Sequence, residues 1–582
     1  MSVVVMATCV STNAQTVAPD YKGKDNNNPI SANVFCADPT ALEYNGRLYV
    51  YGSNDHQEFI ANGKHGGNSY GNIKSIVVFS TDDMVNWTFH GTIDTKKVCS
   101  QWVPSGWPIK GYGVSWAPSV TWRTHKRSKK DEFFLYFCNN VHGIGVLKAA
   151  SPVGPWTSPL NQLMIHSETP GAKPSSAIFD PGVTIDDNGV GWLAIGGLDP
   201  VADEGGTGVD PKNARVYKLT YSMTSVDGLP TKIAAPYHFE ANELNFIGGK
   251  YVYTYCSNWT NRSQSANEWN AFKTEHGITA SAPDPCQMCY MVSDDPTNPN
   301  SWEYKGVYGV NSTSNNNHSH LQKFQGKYYH IYHGAPLMLS LRDAGLLTKD
   351  DAYYRSICVN EATVNENTQT VNNVDLNLTG VEQIKNMNPY ELQQMETMAS
   401  CGGVEYEDFT NIKSNTEISE LNNDASENMQ VKMKAGSWIN VRKVDFGTAG
   451  AAKFTLRARG TGKMEIRTGN SSRNKVATIE FSSTEMTDQS IDISADKLKG
   501  VKNNIYLFVS EATDFYVDAW QFTEYDPTGI LEMPNNQLSN SKIYDLMGRK
   551  LLNANNHRGI VIEQYTDENG VKHSRKVVSG KE

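Results

Sequence analysis

The 582-residue chain is 39% hydrophobic and 20% charged, which excludes disorder and collagen-like repeats, and its length asks for two or three domains rather than one core. Lys+Arg 52 against Asp+Glu 62 leaves a net charge of −10, and the scattered basic residues exclude the footprint of a nucleic-acid binder. No apolar run reaches the roughly 18 residues of a membrane span, while 12 Trp and 28 Tyr suit strands and surfaces that stack on the flat apolar faces of sugar rings.

The chain opens with Val3-Val4-Val5-Met6-Ala7, then Ser11-Thr12-Asn13-Ala14-Gln15. This reads as the end of a secretory signal that lacks its basic start, with a small-residue cleavage site near Ala14. Residues 1–29 are read as leader, and the protein as secreted, periplasmic or on the cell surface. The nine cysteines include Cys286-Gln287-Met288-Cys289 without the second pair that completes a zinc site. Cys9 is a poor match for a lipid anchor, and most of the others are read as reduced core residues or an occasional bridge.

One unit then recurs: a polar or acidic residue, an apolar strand, a Gly turn and a Tyr-rich strand, the signature of a β-hairpin. Asp38 precedes Ala41-Leu42-Glu43-Tyr44, the turn Asn45-Gly46-Arg47 and Leu48-Tyr49-Val50-Tyr51; Asp180 precedes Val183-Thr184-Ile185, Asn188-Gly189 and Trp192-Leu193-Ala194-Ile195. Glu240 and His318 repeat it, with turns Gly248-Gly249-Lys250 and Gln325-Gly326-Lys327, and Trp116 begins a further copy whose turn is the basic loop from His125 to Lys130. The copies are spaced by 78, 64, 60 and 78 residues, too far apart for a short solenoid repeat but suited to four-stranded blades. Outer strands are expected around Trp87, Trp156 and Trp302, and helical periodicity is almost absent. The expected fold is all-β: a five-bladed β-propeller within residues 30–385, whose innermost strands bring Asp38, Asp180 and Glu240 to one axial pocket with Trp116 and His318.

Carboxyl groups forced together raise the pKa of at least one member, and a carboxylic acid kept protonated near neutrality is what a general acid requires. Glycoside hydrolysis needs such a pair: an acid that protonates the leaving oxygen, and a carboxylate that activates water or attacks carbon. Acids at strand starts also cap turns, but three at equivalent positions of one repeat favour the shared pocket.

These residues carry a resemblance. Ala37-Asp38-Pro39, Ser115-Trp116-Ala117-Pro118, Phe179-Asp180-Pro181-Gly182-Val183, Pro236-Tyr237-His238-Phe239-Glu240-Ala241, Asn317-His318-Ser319-His320 and Tyr354-Arg355-Ser356 resemble glycoside hydrolase family 43. They are most similar to the members that remove arabinose from arabinoxylan and carry a family 6 carbohydrate-binding module. The resemblance implies a five-bladed propeller and inversion at the anomeric carbon, with Asp38 as general base, Asp180 tuning and orienting the acid, and Glu240 as general acid; Glu243 is the rival for that last role. It implies that His318 helps to hold a hydrated calcium ion near the axis, the alternative being a hydrogen-bonded core histidine. Arg355 matches an arginine near the pocket, where its donor fork holds sugar hydroxyls or a carboxylate or else makes a structural ion pair. Trp116 is read as a substrate wall or as packing between blades.

After Arg355 the composition shifts, and Asn386-Met387-Asn388-Pro389 reads as a linker end. Met395-Glu396-Thr397, Gly436-Ser437-Trp438-Ile439, Val444-Asp445-Phe446-Gly447 and Val517-Asp518-Ala519-Trp520 resemble the family 6 carbohydrate-binding module, a β-sandwich expected over residues 386–527. The resemblance implies a structural calcium at Glu396 and Asp518, with Gln394 in place of an acidic ligand. Glu485 to Ser490 lacks the Trp of that module's ligand cleft and Tyr516 stands where Asn is usual, leaving Tyr406 as a cleft candidate and Trp438 and Trp520 as core. Residues 528–582, with Lys542-Ile543-Tyr544-Asp545-Leu546-Met547-Gly548-Arg549-Lys550, resemble C-terminal sorting tails of secreted bacterial proteins.

The reading is an exported, inverting, exo-acting enzyme that removes α-L-arabinofuranosyl groups from arabinoxylan, needing no cofactor for its chemistry beyond a structural calcium. Its partner is a plant cell-wall polysaccharide, arabinoxylan or xylan oligosaccharides, not nucleic acid. The alternatives are a β-xylosidase acting on xylo-oligosaccharides and a non-catalytic polysaccharide-binding protein.

Overall fold

The computed structural model describes residues 17–102, 113–173, 175–259, 266–310, 316–350, 352–403, 425, 429–471 and 474–526, with short strands beyond residue 529. Cys9, Ala14 and Tyr406 lie outside the described residues. Five antiparallel sheets follow one another along the chain, each with its strands hydrogen-bonded in chain order. The first holds β1 (Ala37–Tyr44), β2 (Arg47–Ser53), β3 (Ile76–Thr81) and β4 (Trp87–Ile93); the second, β5 (Trp116–Thr124), β6 (Asp131–Cys138), β7 (Gly143–Ala149) and β8 (Ile165–His166). The third holds β9 (Gly182–Ile185), β10 (Gly191–Ile195), β11 (Arg215–Lys218) and β12 (Thr231–Lys232). The fourth comprises β13 (His238–Ile247), β14 (Lys250–Ser257), β15 (Met288–Ser293) and β16 (Glu303–Gly309); the fifth has three strands, β17 (Ser319–Phe324), β18 (Lys327–Gly334) and β19 (Ser356–Ala362). The first strands touch in turn, β1 with β5, β5 with β9, β9 with β13, β13 with β17 and β17 with β1, so they close a ring.

The expected hairpins form with the turn chemistry the sequence supplies. Asn45-Gly46, Gly248-Gly249 and Gln325-Gly326 all have positive φ at both residues, the twist that joins adjacent antiparallel strands in two residues. Neighbouring sheets cover both faces of the middle strands, so β3 is buried along its whole length and Phe133 to Cys138 of β6 likewise. Among the described residues four short helices stand where helical periodicity is almost absent: α1 (Asp55–Asn62), α2 (Thr95–Val98), α3 (Ala266–His276) and α4 (Pro336–Asp343). The buried side of α1 is Asp55, His56, Glu58 and Phe59, mostly polar, so no apolar period announces it.

A two-strand ladder, β20 (Val364–Asn365) and β21 (Thr370–Val371), leads to the second domain. There β22 (Gln393–Gln394), β23 (Thr397–Met398), β24 (Ser400–Gly402), β25 (Val431–Met433) and β26 (Trp438–Asp445) precede three long strands, β27 (Ala451–Thr468), β28 (Lys475–Asp492) and β29 (Val501–Glu524). Their order is β24-β26-β29-β27-β28, with β22 and β25 also on β29, and register shifts at Arg459/Thr461 and Lys463/Met464 bend the long strands as bulges do. Trp438 and Trp520 are core residues, 2% and 1% exposed. Beyond this domain lies a separate small sheet of β30 (Ile530–Glu532), β31 (Lys542–Tyr544), β32 (Lys550–Leu551), β33 (Gly559–Thr566) and β34 (Lys572–Ser579).

The two large units are joined by more than a linker. The strand β23 pairs with β4 of the first sheet, and one apolar cluster runs from Phe79, Trp87 and Phe89 into Met398, Ile439, Val441 and Val444. Residues 17–28 are built into the same junction: Ala18 accepts from Trp438 Nε1 at 2.8 Å, and the Lys22 ammonium donates to the Ala399 carbonyl at 2.7 Å.

Candidate active site

Four of the five first strands enter the ring through a kink. Asp38, Ala117, Asp180 and Ala241 have φ of 48°, 41°, 47° and 62°, strained for residues with a Cβ, and the ladders slip at Ala37/Thr40, Trp116/Ser119 and Glu240/Glu243. The kinks leave Asp38 and Asp180 outside the ladder register and set the irregularity of β13 directly around Glu240, which pairs with Cys256. All three are buried, at 5%, 5% and 6% exposure; Glu240 feels the charges of Asp180 and Asp38, and Asp180 feels that of Asp38.

Their surroundings differ. Asp38 Oδ1 accepts from Arg355 Nη1 at 2.7 Å, and its backbone N–H donates to His333 Nδ1 at 3.1 Å, which puts the His333 proton on Nε2, facing the Asn316 carbonyl at 3.2 Å. Burial alone would raise the Asp38 pKa, but the Arg355 guanidinium holds it well below the usual carboxylate range. Asp180 accepts from the Ala241 N–H at 2.8 Å and the Cys138 thiol at 3.6 Å. Burial, with the Asp38 charge adding to it, pushes Asp180 up to about 7. Glu240 Oε1 accepts from Trp259 Nε1 at 2.7 Å and Asn316 Nδ2 at 3.3 Å, and burial followed by the Asp180 charge raises it well above an ordinary glutamate.

The rival Glu243 lies deeper, fully buried, against Ser119 Oγ at 3.4 Å and His320 Nδ1 at 3.3 Å. Trp116 is partly exposed and donates through Nε1 to the Tyr70 carbonyl at 2.8 Å. His318 sits with Nδ1 3.7 Å from Asp38 Oδ1 and burial lowers its pKa to about 3, so it is a neutral ring beside the base. Among the described residues no three His, Cys, Asp or Glu side chains form a cation cage, and the calcium expected at His318 has no such preformed set there.

The second expected calcium position has a different donor set. Gln394 Oε1 and Glu396 Oε2 are buried with no hydrogen-bond partner, and Glu396 feels the charge of Asp518. Three oxygen donors of this kind fit a hard cation, although Arg457 Nε already stands 3.0 Å from Asp518 Oδ2. The Tyr516 ring lies under Arg459, 3.8 Å from the guanidinium carbon.

Several contributors escape a reading of the strand starts. Asp55 clamps Arg355 with Oδ2 to Nε at 2.9 Å and Oδ1 to Nη2 at 2.8 Å, Tyr70 lies 5.2 Å from the same guanidinium, and His333, Asn316 and Trp259 complete the shell. A signal was present: an antiparallel hairpin returns its second strand to the end where the first began. Ser53-Asn54-Asp55 and Ser257-Asn258-Trp259 are the parallel exits of β2 and β14.

One ionised carboxylate and a protonated carboxyl group in one pocket are the equipment of a glycoside hydrolase. The sequence matches the model of the glycosyl hydrolases family 43 over residues 26–365 and that of carbohydrate binding module (family 6) over 394–524. An arabinoxylan arabinofuranohydrolase of Bacillus subtilis is 34% identical over 539 residues, 90% of this chain and 98% of that one. One of Paenibacillus polymyxa is 34% identical over 519 residues, 87% of this chain and 75% of that one. The crystal structure of a family 43 arabinoxylan arabinofuranohydrolase from Bacillus subtilis, in complex with cellotetraose, has a TM-score of 0.71 at 32% identity, covering 88% of this chain and 99% of that one. The chain belongs to glycoside hydrolase family 43, and its second domain is a family 6 carbohydrate-binding module.

Proposed function

We propose that the protein is an exported, exo-acting α-L-arabinofuranosidase that removes arabinofuranosyl side groups from arabinoxylan with inversion, on a five-bladed β-propeller. The ring of first strands supports the propeller, and the two relatives at 34% identity support the substrate. The observation that carries the mechanism is the division of the carboxyl groups: Asp38 is ionised by Arg355, whereas Glu240 is held protonated by burial beside Asp180.

Asp38 takes a proton from a water molecule as that water attacks the anomeric carbon, and Glu240 gives its proton to the departing xylan oxygen. Inversion needs about 6.5–9.5 Å between such groups, room for the water. Asp180 places its charge beside Glu240 and keeps the acid protonated between turnovers. Trp116 bounds the pocket as a sugar contact, and Arg355, paired with Asp38 and Asp55, makes the ion pair that keeps the base ionised. No metal is needed for these steps, and Gln394, Glu396 and Asp518 would hold a structural calcium in the carbohydrate-binding module. The leader and the C-terminal sequence support export; among the described residues no helix is long and apolar enough to cross a membrane.

The test incubates the protein, with Asp38→Asn as control, with wheat arabinoxylan, linear xylo-oligosaccharides and arabinan, and identifies the sugars released. Arabinose from arabinoxylan, absent with Asp38→Asn, is the expected result. Xylose from the oligosaccharides would make the enzyme a β-xylosidase, and no sugar from any of them would leave either a different glycoside as substrate or a binding protein.

A further inference from the structure

Among the described residues the acid is held on one side: the donors that reach Glu240, the Trp259 indole N–H at 2.7 Å and the Asn316 amide at 3.3 Å, both fall on Oε1. An oxygen that accepts two N–H groups has no lone pair to spare for a proton, so the carboxyl proton is carried on Oε2. Trp259 is itself held: it follows the exit of β14, and its ring lies 4.9 Å from that of Phe239, the neighbour of Glu240 in sequence. It is only partly buried, so it stands at the pocket with its N–H directed at the acid.

We propose that Trp259 is a positioning residue for Glu240, fixing through its indole N–H which carboxyl oxygen delivers the proton to the leaving group. This rests on the assignment of Glu240 as the acid. The packing against Phe239 asks only for an aromatic ring, which phenylalanine supplies equally; the N–H is what tryptophan adds. The other titratable groups that face Glu240 are Asp180, Asp38, Tyr70, Cys256 and Cys286, and replacing Trp259 leaves all of them in place. A donor to a carboxylate favours its ionised form, so its removal moves the acid's titration to higher pH.

The experiment measures kcat and kcat/KM against pH for wild type, Trp259→Phe and Glu240→Gln, on arabinoxylan and on an aryl α-L-arabinofuranoside whose leaving group needs no proton. Trp259→Phe is expected to lose roughly tenfold in kcat on arabinoxylan and no more than about twofold on the aryl glycoside. Its alkaline limb should move up by about one pH unit, the worth of one hydrogen bond to a charged group. An unmoved limb with equal losses on both substrates would reduce Trp259 to a pocket wall and overturn the proposal. Glu240→Gln separates the two claims: equal loss on both substrates removes Glu240 as the acid, whereas selective loss there without selectivity in Trp259→Phe removes only the role of Trp259. Trp259→Met also lacks the donor and gives the same reading if thermal melting shows the phenylalanine variant to be unfolded.

Discussion

Asp38 and Glu240 start from nearly the same ordinary pKa and are moved in opposite directions: the Arg355 guanidinium holds Asp38 well below the usual carboxylate range, while burial and then the Asp180 charge raise Glu240 well above an ordinary glutamate. Separating two like groups by environment is how a single pocket holds an acid and a base at once. Since the Asp180 charge raises Glu240, Asp180→Asn should lower the pKa of the acid. The alkaline limb of kcat/KM should then move to lower pH, with a fall in kcat at neutrality. A pH–rate profile whose alkaline limb stays in place would show that burial alone keeps Glu240 protonated. Asp38, Asp180 and Glu240 were legible in the sequence because each opens a repeat. Asp55, His333 and Trp259 were hidden because they close second strands and are themselves of three different types; the return of a hairpin to its own starting end places them.

Among the elements, α1 acts on the pocket from outside. Glu58, fully buried on it, accepts from the Asn62 amide at 2.8 Å, the Ser69 N–H and hydroxyl at 3.2 and 2.9 Å, and the Asn72 N–H at 2.5 Å. That carboxylate organises the stretch that carries Tyr70, the residue that anchors the Trp116 indole and covers Arg355. Glu58→Ala leaves these donors unpaired and should cost about 1–3 kcal/mol in chemical denaturation, with a rise in KM as Trp116 loses its anchor; an unchanged KM would uncouple this stretch from substrate. The elements of the second domain invite a different measurement. Calcium at a hundredfold excess over its Kd should add about 2.7 kcal/mol of stability, read as a rise in Tm that EDTA reverses and Glu396→Ala abolishes. The hairpins of the first domain were legible from their turn residues, while the second domain was legible only as a sandwich implied by a resemblance. The four helices were not, being short and, in α1, buried on a polar side.

At the scale of the whole molecule, the junction governs stability. Lys22 is buried between the domains, its ammonium bonded to the Ala399 carbonyl, and burial, with Arg442 adding to it, lowers its pKa from 10.5 to about 7. From pH 7 to 10.5 the unfolded chain binds a proton at this lysine that the native chain does not, so stability should rise with pH through that window. Lys22→Met should flatten the rise in denaturation midpoints measured between pH 7 and 10; an equal slope in the variant would place the titration elsewhere. This contact had no signature in sequence, because it joins residues 377 positions apart and residues 17–29 read as leader.

The shared apolar cluster that runs from Phe79 and Trp87 into Ile439 and Val441 also decides what kind of appendage the carbohydrate-binding module is. A module on a flexible tether raises the local concentration of its ligand over a range of directions. A module that shares its core with the catalytic domain has no tether to swing on. Any chain it gripped would be laid down at one angle and one distance from Asp38 and Glu240, so it would act as a ruler rather than a leash, selecting which side group along a polymer is removed.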